Sequence, residues 1–276
     1  MVLRHQGLRR TGVVFGAKRL LRIATEGGAD KDGVKVHLKK ILQMPFLSDT
    51  DFLASSLWPN NPSLHPPILY GLFKDWDGKT PYPPPNPEDP TTLPTLIYAD
   101  MRTESAKALV TEDNELTSIV KKLAELYPHN PHLKNDFSMF HCVNENYEEQ
   151  ITCKWDAVTS VMSNRAFGKH KIPYTQVDGG VVPTLKHKFF ETDMPFGLCT
   201  FVDIARMIGV ETPLIDAMIR WNQALIGKEY MTATGMIDGK DAGECVLPSA
   251  LGLSKGTLEY GNRQNGDAPA QKKPKM

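Results

Sequence analysis

Two segments near the C-terminus constrain the fold most strongly, because both carry apolar residues at the spacing of an α-helix. The first segment ends at Gly209, and the second begins at Thr212-Pro213 and ends at Gly227. Glycine often ends a helix, whereas threonine and proline are common where the next helix begins. The apolar positions are Leu198, Phe201, Ile204, Ala205 and Ile208 in the first segment, and Leu214, Ala217, Met218, Trp221 and Leu225 in the second.

Similar patterns earlier in the chain predict a mainly α protein with a small α/β portion at its front. Helices are predicted over Lys18–Thr25, from Asp32 to before Pro45, from His65 to Phe73 and over residues 94–126. In the last of these, residues 111–114 are expected to cap a helix, and the expected buried stripe is Leu116, Ile119, Val120 and Leu123.

Strands and loops are predicted from turn-forming and β-branched residues. Residues 12–17 are predicted to form a strand, and Asp178-Gly179-Gly180 to turn the chain between two extended pieces. Residues 81–90 contain six prolines, which predicts a loop, with an SH3-type ligand as the alternative. Residues 261–276 lack apolar content and are predicted to form a disordered tail.

The charge distribution limits the partners that the protein can have. Lys+Arg and Asp+Glu both number 32, so a globally basic nucleic-acid binder is excluded. Residues 1–42 hold ten Lys/Arg against three acids, so this opening segment is strongly basic and the body acidic.

The sequence contains no run of 18 apolar residues that would predict a membrane span. Four cysteines without CxxC spacing and the lack of a secretory leader favour the cytoplasm, with a mitochondrial presequence as the alternative.

His65 is the first candidate for a reactive side chain. It stands before Pro66 and Pro67 at the predicted start of a helix, where the helix dipole disfavours protonation of an imidazole. A histidine with a near-neutral pKa suits general acid–base chemistry. The alternative is a capping or solvent-facing histidine.

A second candidate group lies in residues 187–197, just before the first C-terminal helix. Asp193 could orient a histidine, and Lys188 could pair with a substrate carboxylate. The alternative is a charged loop in which Asp193 lies near a helix start. A third group could suggest zinc, but its spacing matches no common zinc motif, so no metal site is predicted; its members are His129, His132, His141, Cys142 and Cys153.

The nucleotide-binding and hydrolase motifs GxGxxG, GxxxxGK[ST], GxSxG and HExxH are absent from the sequence. A glycine fingerprint for a dinucleotide therefore lies outside this chain, if the protein uses one.

Several segments, taken in order, resemble the opine dehydrogenases of the octopine dehydrogenase type. The resembling segments are Val13–Lys18, Asn61-x-x-x-His65-Pro66 with Tyr70-Gly71, Asp178-Gly179-Gly180, Phe190-x-x-Asp193-Met194-Pro195-Phe196-Gly197-Leu198-Cys199 and Gly209-Val210-x-Thr212-Pro213-x-Ile215-Asp216. Together they cover about residues 12–260. Each segment is weak alone, and their order makes the resemblance specific.

The resemblance implies an enzyme that reductively condenses an amino acid with pyruvate, with NADH as the hydride donor. It implies His65 as general acid and base, Asp193 as the residue that orients it, and Lys188 and Asn61 as substrate-binding residues. Lys188 stands where the family has arginine, and lysine lacks the bidentate fork that grips a carboxylate. Weaker or altered binding of the keto acid is therefore expected.

The resemblance also implies that most of a dinucleotide-binding domain is missing at the front. Residues 1–57 are then the end of that domain, and residues 58–260 form a helical domain. The isolated chain is expected to be inactive because it lacks the glycine fingerprint. The alternative functions are a non-catalytic helical interaction module and a related dehydrogenase of 2-oxo or 2-hydroxy acids.

Overall fold

The computed structural model describes residues 3–4, 13–25, 30–43 and 46–254. The strands in these ranges are β1 (Leu3–Arg4), β2 (Val13–Val14), β3 (Leu20–Ala24), β4 (Phe46–Thr50), β5 (Tyr174–Val177) and β6 (Gly180–Pro183). The helices are α1 (Lys31–Leu42), α2 (Phe52–Leu57), α3 (His65–Phe73), α4 (Thr103–Leu126), α5 (Met139–Tyr147), α6 (Ala157–Met162), α7 (Lys188–Glu191), α8 (Cys199–Ile208) and α9 (Pro213–Ile226). The predicted mainly α fold is confirmed. Within the described ranges, no helix is both long and apolar enough to cross a membrane.

The front of the chain contains a small parallel α/β unit. Strand β3 pairs in parallel with β4, and helix α1 connects them. The predicted helix over Lys18–Thr25 is therefore wrong. Its apolar residues have helical spacing, but pairing with a strand more than twenty residues later determines their conformation. Of the predicted strand over residues 12–17, Val13–Val14 form β2, and residues 15–17 do not belong to it.

The basic opening segment contacts acidic residues of the helical part. Arg19 forms an ion pair with Glu148, and Arg22 lies 2.6 Å from Glu145 of helix α5. The guanidinium of Arg22 also lies 3.4 Å from the centre of the Trp58 ring. The opening segment thus has part of its charge balanced by the helical part of the same chain.

Helix α4 runs through the centre of the helical part and packs against α3, α8 and α9. Its predicted stripe is buried. Residues 111–114 lie inside the helix and do not cap it. The predicted helix over residues 94–126 begins only at Thr103, and turns over residues 97–100 precede it. One of these turns is closed by Asp100, whose carboxylate accepts a hydrogen bond from the amide of Leu96 at 2.9 Å.

The two C-terminal helices end where the sequence predicts. Gly209 and Gly227 have φ angles of 72° and 70°, in the left-handed region that favours glycine. The start of α9 differs from the expected threonine cap. The carboxylate of Glu115 on α4 accepts hydrogen bonds from the first amides of α9, those of Leu214 at 2.8 Å and Ile215 at 3.0 Å. This contact fixes α9 to the central helix.

The predicted turn at residues 178–180 and the predicted loop over residues 81–90 are confirmed. Strands β5 and β6 pair antiparallel around residues 178–179. Residues 81–90 contain no helix and no strand, although Tyr82 forms an isolated bridge with Val181. The predicted disordered tail lies outside the described residues.

Glu112 is a fully buried acid on helix α4. Neither oxygen of its carboxyl group has a hydrogen-bond partner among the described residues. Burial raises the pKa of Glu112 well above its usual value of 4.5, and the charge of Asp113 raises it further. The nearby hydroxyl of Ser63 lowers it to a lesser extent. The folded state therefore favours the neutral acid.

This burial predicts a pH-dependent stability for the protein. Above pH 4.5 the unfolded chain ionises Glu112, whereas the folded chain keeps its proton, so the free energy of unfolding falls as pH rises. The Glu112→Gln variant keeps the shape of the side chain but has no carboxyl group that can ionise. We expect it to become progressively more stable than the wild type above pH 4.5 in urea unfolding. Equal pH dependence of the two proteins would contradict this account, and Glu125→Gln, exposed on the same helix, is the control.

Candidate active site

A cavity of about 620 Å³ lies beside the start of helix α3. Helix α5, the start of α7 and the segment that precedes β3 also contribute to its wall. Its size lies within the range of small-molecule sites, which is about 300–1,000 Å³.

His65 lies at the wall of this cavity as the first residue of α3. Pro66 and Pro67 follow it in the first helical turn, where a missing amide proton costs no helical hydrogen bond. A short 3-10 turn over Asn61–Ser63 leads into the helix. His65 is 3% exposed, so the predicted alternative of a solvent-facing histidine does not apply.

Two hydrogen bonds hold the His65 ring. Its Nδ1 lies 2.7 Å from the Oδ2 of Asp193, and its Nε2 lies 2.7 Å from the hydroxyl of Tyr98. A carboxylate only accepts hydrogen bonds, so Nδ1 is assigned as the protonated nitrogen that donates to Asp193. The Nε2 then accepts the hydrogen bond from Tyr98.

Stacking fixes the plane of the same ring. The ring of Phe189 lies against that of His65 with a centroid distance of 3.6 Å and an interplanar angle of 23°. Phe189 is held in turn by helix α7, which begins one residue earlier and buries this side chain. The imidazole is therefore positioned at both nitrogens and on one face.

Burial controls the protonation of the His65 imidazole. It lowers the pKa of His65 below the usual 6.5, while the hydrogen bond and charge of Asp193 oppose this shift. The imidazole is therefore neutral near pH 7. Burial and the charge of Asp193 raise the pKa of Tyr98, so Tyr98 stays a phenol that can donate.

Asp193 is placed by an unusual helical turn. It is 7% exposed and stands at the start of a π-helix over Met194–Leu198, where the amide of Leu198 donates to its carbonyl at 3.2 Å. Gly197 in this turn lies against Pro62, and a Cβ there would come within 2.2 Å of the proline ring. Glycine at this position allows the turn that carries Asp193 to approach the turn that precedes His65.

The remaining two predicted site residues, Lys188 and Asn61, line the same cavity. Lys188 is exposed, and its Nζ lies 5.8 Å from the centre of the Phe189 ring. Asn61 is exposed at the start of the 3-10 turn, four residues before His65. The structure thus places Lys188 and Asn61 beside His65, with Asp193 behind it. Their roles in binding or catalysis remain predictions.

Sequence analysis missed two residues that the structure places at the site. Tyr98 comes from the turns that precede α4, and Lys18 comes from the segment before β3. Tyr98 lies in none of the resembling segments, and Lys18 ends the segment Val13–Lys18, for which the resemblance implies no site role. The fold brings both residues to His65. Among the described residues, no three or more His, Cys, Asp or Glu side chains are grouped so that they could hold a metal ion.

Comparison with known proteins identifies the family. The model of the NAD/NADP octopine/nopaline dehydrogenase α-helical domain matches residues 48–226. Tauropine dehydrogenase of Arabella iricolor is 33% identical over 203 residues, which are 73% of this chain and 48% of that protein. Octopine dehydrogenase of Pecten maximus is 30% identical over 191 residues, 69% of this chain and 45% of that protein. The chain spans about half the length of the curated relatives it matches.

Solved structures agree with this result. An octopine dehydrogenase with NADH and L-arginine superposes with a TM-score of 0.74 at 26% sequence identity. Another, in complex with NADH and agmatine, gives 0.75 at the same identity. Each match covers 92% of this chain and 60% of the other. The resemblance noted in the sequence is confirmed: the chain belongs to the octopine/nopaline dehydrogenase family and contains its α-helical domain.

Proposed function

We propose that the chain is the substrate-binding and acid–base part of an NAD-dependent opine dehydrogenase that joins an amino acid to pyruvate in the cytoplasm. The observation that carries the proposal is the imidazole of His65 held between Asp193 and Tyr98 at the wall of a substrate-sized cavity. A helical module that only bound a partner would not need this arrangement.

His65 would move the protons of the condensation. Its Nε2 takes a proton from the ammonium group of the amino acid, and the free amine then attacks the carbonyl carbon of pyruvate. A C–N bond forms, and one proton of the attacking nitrogen passes to the carbonyl oxygen, which becomes a hydroxyl. The imidazolium then returns its proton to this hydroxyl, which leaves as water and gives the protonated imine. Asp193 stabilises the imidazolium while it lasts, because it receives the Nδ1 hydrogen bond.

The hydroxyl of Tyr98 occupies Nε2 in this structure. The substrate amine would displace that hydrogen bond when it takes its place beside His65. Because the phenol keeps its proton, it remains a donor for an oxygen or nitrogen of the reacting group.

The N-terminus of helix α1 does not fit the phosphates of a dinucleotide. Helix α1 follows strand β3 of the parallel unit, and its N-terminus is capped by Asp30, whose carboxylate accepts from the amide of Gly33 at 3.0 Å. A carboxylate at this position repels a phosphate and occupies an amide that would bind it. The transfer of hydride from NADH to the imine carbon is therefore assigned to none of the described residues. We expect the 276-residue chain to bind NADH poorly.

Lys188 would bind the carboxylate of pyruvate. It lines the cavity beside His65 and has no ion-pair partner among the described residues, so its charge is available to a ligand. Asn61 lies at the same wall and would contribute a hydrogen bond from its amide.

A chemical reductant can test the proposed function without a dinucleotide. Purified chain is incubated with pyruvate, one amino acid at a time and cyanoborohydride, which reduces the imine in place of NADH. We expect faster product formation than in buffer, with an excess of one configuration at the new carbon. His65→Asn should lower the protein-dependent rate about 100-fold, the usual contribution of a general acid–base group.

A parallel assay with NADH distinguishes the alternative functions. Oxidation of NADH with pyruvate alone would favour the 2-oxo acid dehydrogenase. No acceleration and no stereochemical excess with any amino acid, in either assay, would overturn the proposal. Lys186→Met, exposed and outside the cavity, is the control and should behave as the wild type.

Replacing Lys188 tests its assignment to pyruvate. Lys188→Arg restores the bidentate fork for a carboxylate, so the pyruvate concentration that gives half the maximal condensation rate should fall about fivefold, or about 1 kcal/mol. Lys186→Arg is the matched control. An unchanged or higher concentration for Lys188→Arg would show that Lys188 does not hold the pyruvate carboxylate.

A further inference from the structure

The wall of the cavity is basic. Two lysines line it, Lys18 and Lys188, together with three histidines, His65, His170 and His187. No aspartate or glutamate is among the described residues that line it, since Asp193 lies behind His65. A concave site with two ammonium groups and no acid attracts anions and repels cations.

Lys18 is held at this wall by the residues on either side of it. The carbonyl of Ala17 accepts a hydrogen bond from the side-chain amide of Gln150 at 2.8 Å. The amide of Arg19 donates to the carbonyl of Asn146 at 2.9 Å. Both contacts fasten the segment to helical-domain residues next to the cavity, so Lys18 is a fixed part of the wall.

The charge of Lys18 is not compensated by the protein. Its ammonium group has no hydrogen bond or ion pair with the described residues. The neighbouring thiol of Cys142 does not balance it, because burial raises the pKa of Cys142 and keeps it protonated. Burial also lowers the pKa of Lys18, which shows that its charged form lacks a stabilising partner. A bound anion would supply that partner.

We infer that Lys18 is a second carboxylate-binding residue, which holds the acid group of the amino acid while Lys188 holds that of pyruvate. This inference rests on the proposed function, because joining the two substrates through nitrogen gives a secondary amine with two carboxylates. It also implies an amino acid without a cationic side chain. A cationic side chain would meet two lysines and no carboxylate at the described wall.

Two small probes separate the two carboxylate sites. The first probe is 2,2′-iminodipropionate, the condensation product expected from alanine, and the second is N-ethylalanine, which lacks one of its carboxyl groups. Calorimetric titration of the 276-residue chain should show about tenfold tighter binding of the dicarboxylate. The difference corresponds to one hydrogen bond to a charged group.

Substitution of Lys18 should remove this preference. We expect Lys18→Met to weaken binding of 2,2′-iminodipropionate about tenfold and to leave N-ethylalanine unaffected, while Lys18→Arg retains the preference. Lys186→Met removes one charge outside the cavity and should change neither affinity.

Failure of this inference is distinguishable from failure of the proposed function. Equal binding of both probes by the wild type, no binding of the dicarboxylate, or an unchanged preference in Lys18→Met would overturn the role of Lys18, even if condensation occurs. A dicarboxylate preference that depends on Lys18, without any condensation, would support this binding role and contradict the proposed reaction.

Discussion

The hydrogen bond between His65 and Asp193 is the interaction on which the site depends. It joins residues 128 positions apart and lies almost entirely away from solvent. A buried carboxylate without a partner would be strongly destabilising, so the two turns that carry these residues must approach each other closely. Gly197 against Pro62 permits that approach, because any side chain at 197 would collide with the proline ring.

The surrounding structure converts this buried pair into a neutral base. Burial disfavours the charged imidazole, whereas Asp193 fixes its tautomer and would stabilise a transient proton. Phe189 packs against one face of the ring, and the hydroxyl of Tyr98 contacts its Nε2. Lys18 and Lys188 also line the cavity and form no ion pair with the described residues, so their charges are available to anions. We propose that one cavity, lined by the helical domain and by the segment before β3, serves both proton transfer and anion binding.

The sequence was informative where structure is determined locally. Gly209 and Gly227 predicted the ends of two helices, and Pro66 and Pro67 predicted the start of α3. It failed where distant partners decide the conformation. Residues 20–24 have helical spacing but form a strand because residues 46–50 pair with them. Likewise, Glu115 from another helix satisfies the amides that a local threonine cap was expected to bind.

Only part of the candidate site could be predicted from the sequence. His65 and Asp193 were each weak candidates from spacing alone, and the family resemblance was needed to connect them. Tyr98 and Lys18 carried no sequence signal, because their position beside His65 arises only from tertiary packing. Residues that surround a reactive group from separate elements are therefore recognised only in the folded molecule.

The protonation pattern of His65 tests the central claim most directly. In histidine-labelled protein, two-bond ¹H–¹⁵N correlation spectra distinguish the nitrogen that carries the proton, and the His65 signals are identified by their loss in His65→Asn. The structure predicts a neutral ring near pH 7 that is protonated at Nδ1, with that proton bound to Asp193. A ring protonated at Nε2, or an average over both tautomers, would show that Asp193 does not hold His65 and would contradict the account.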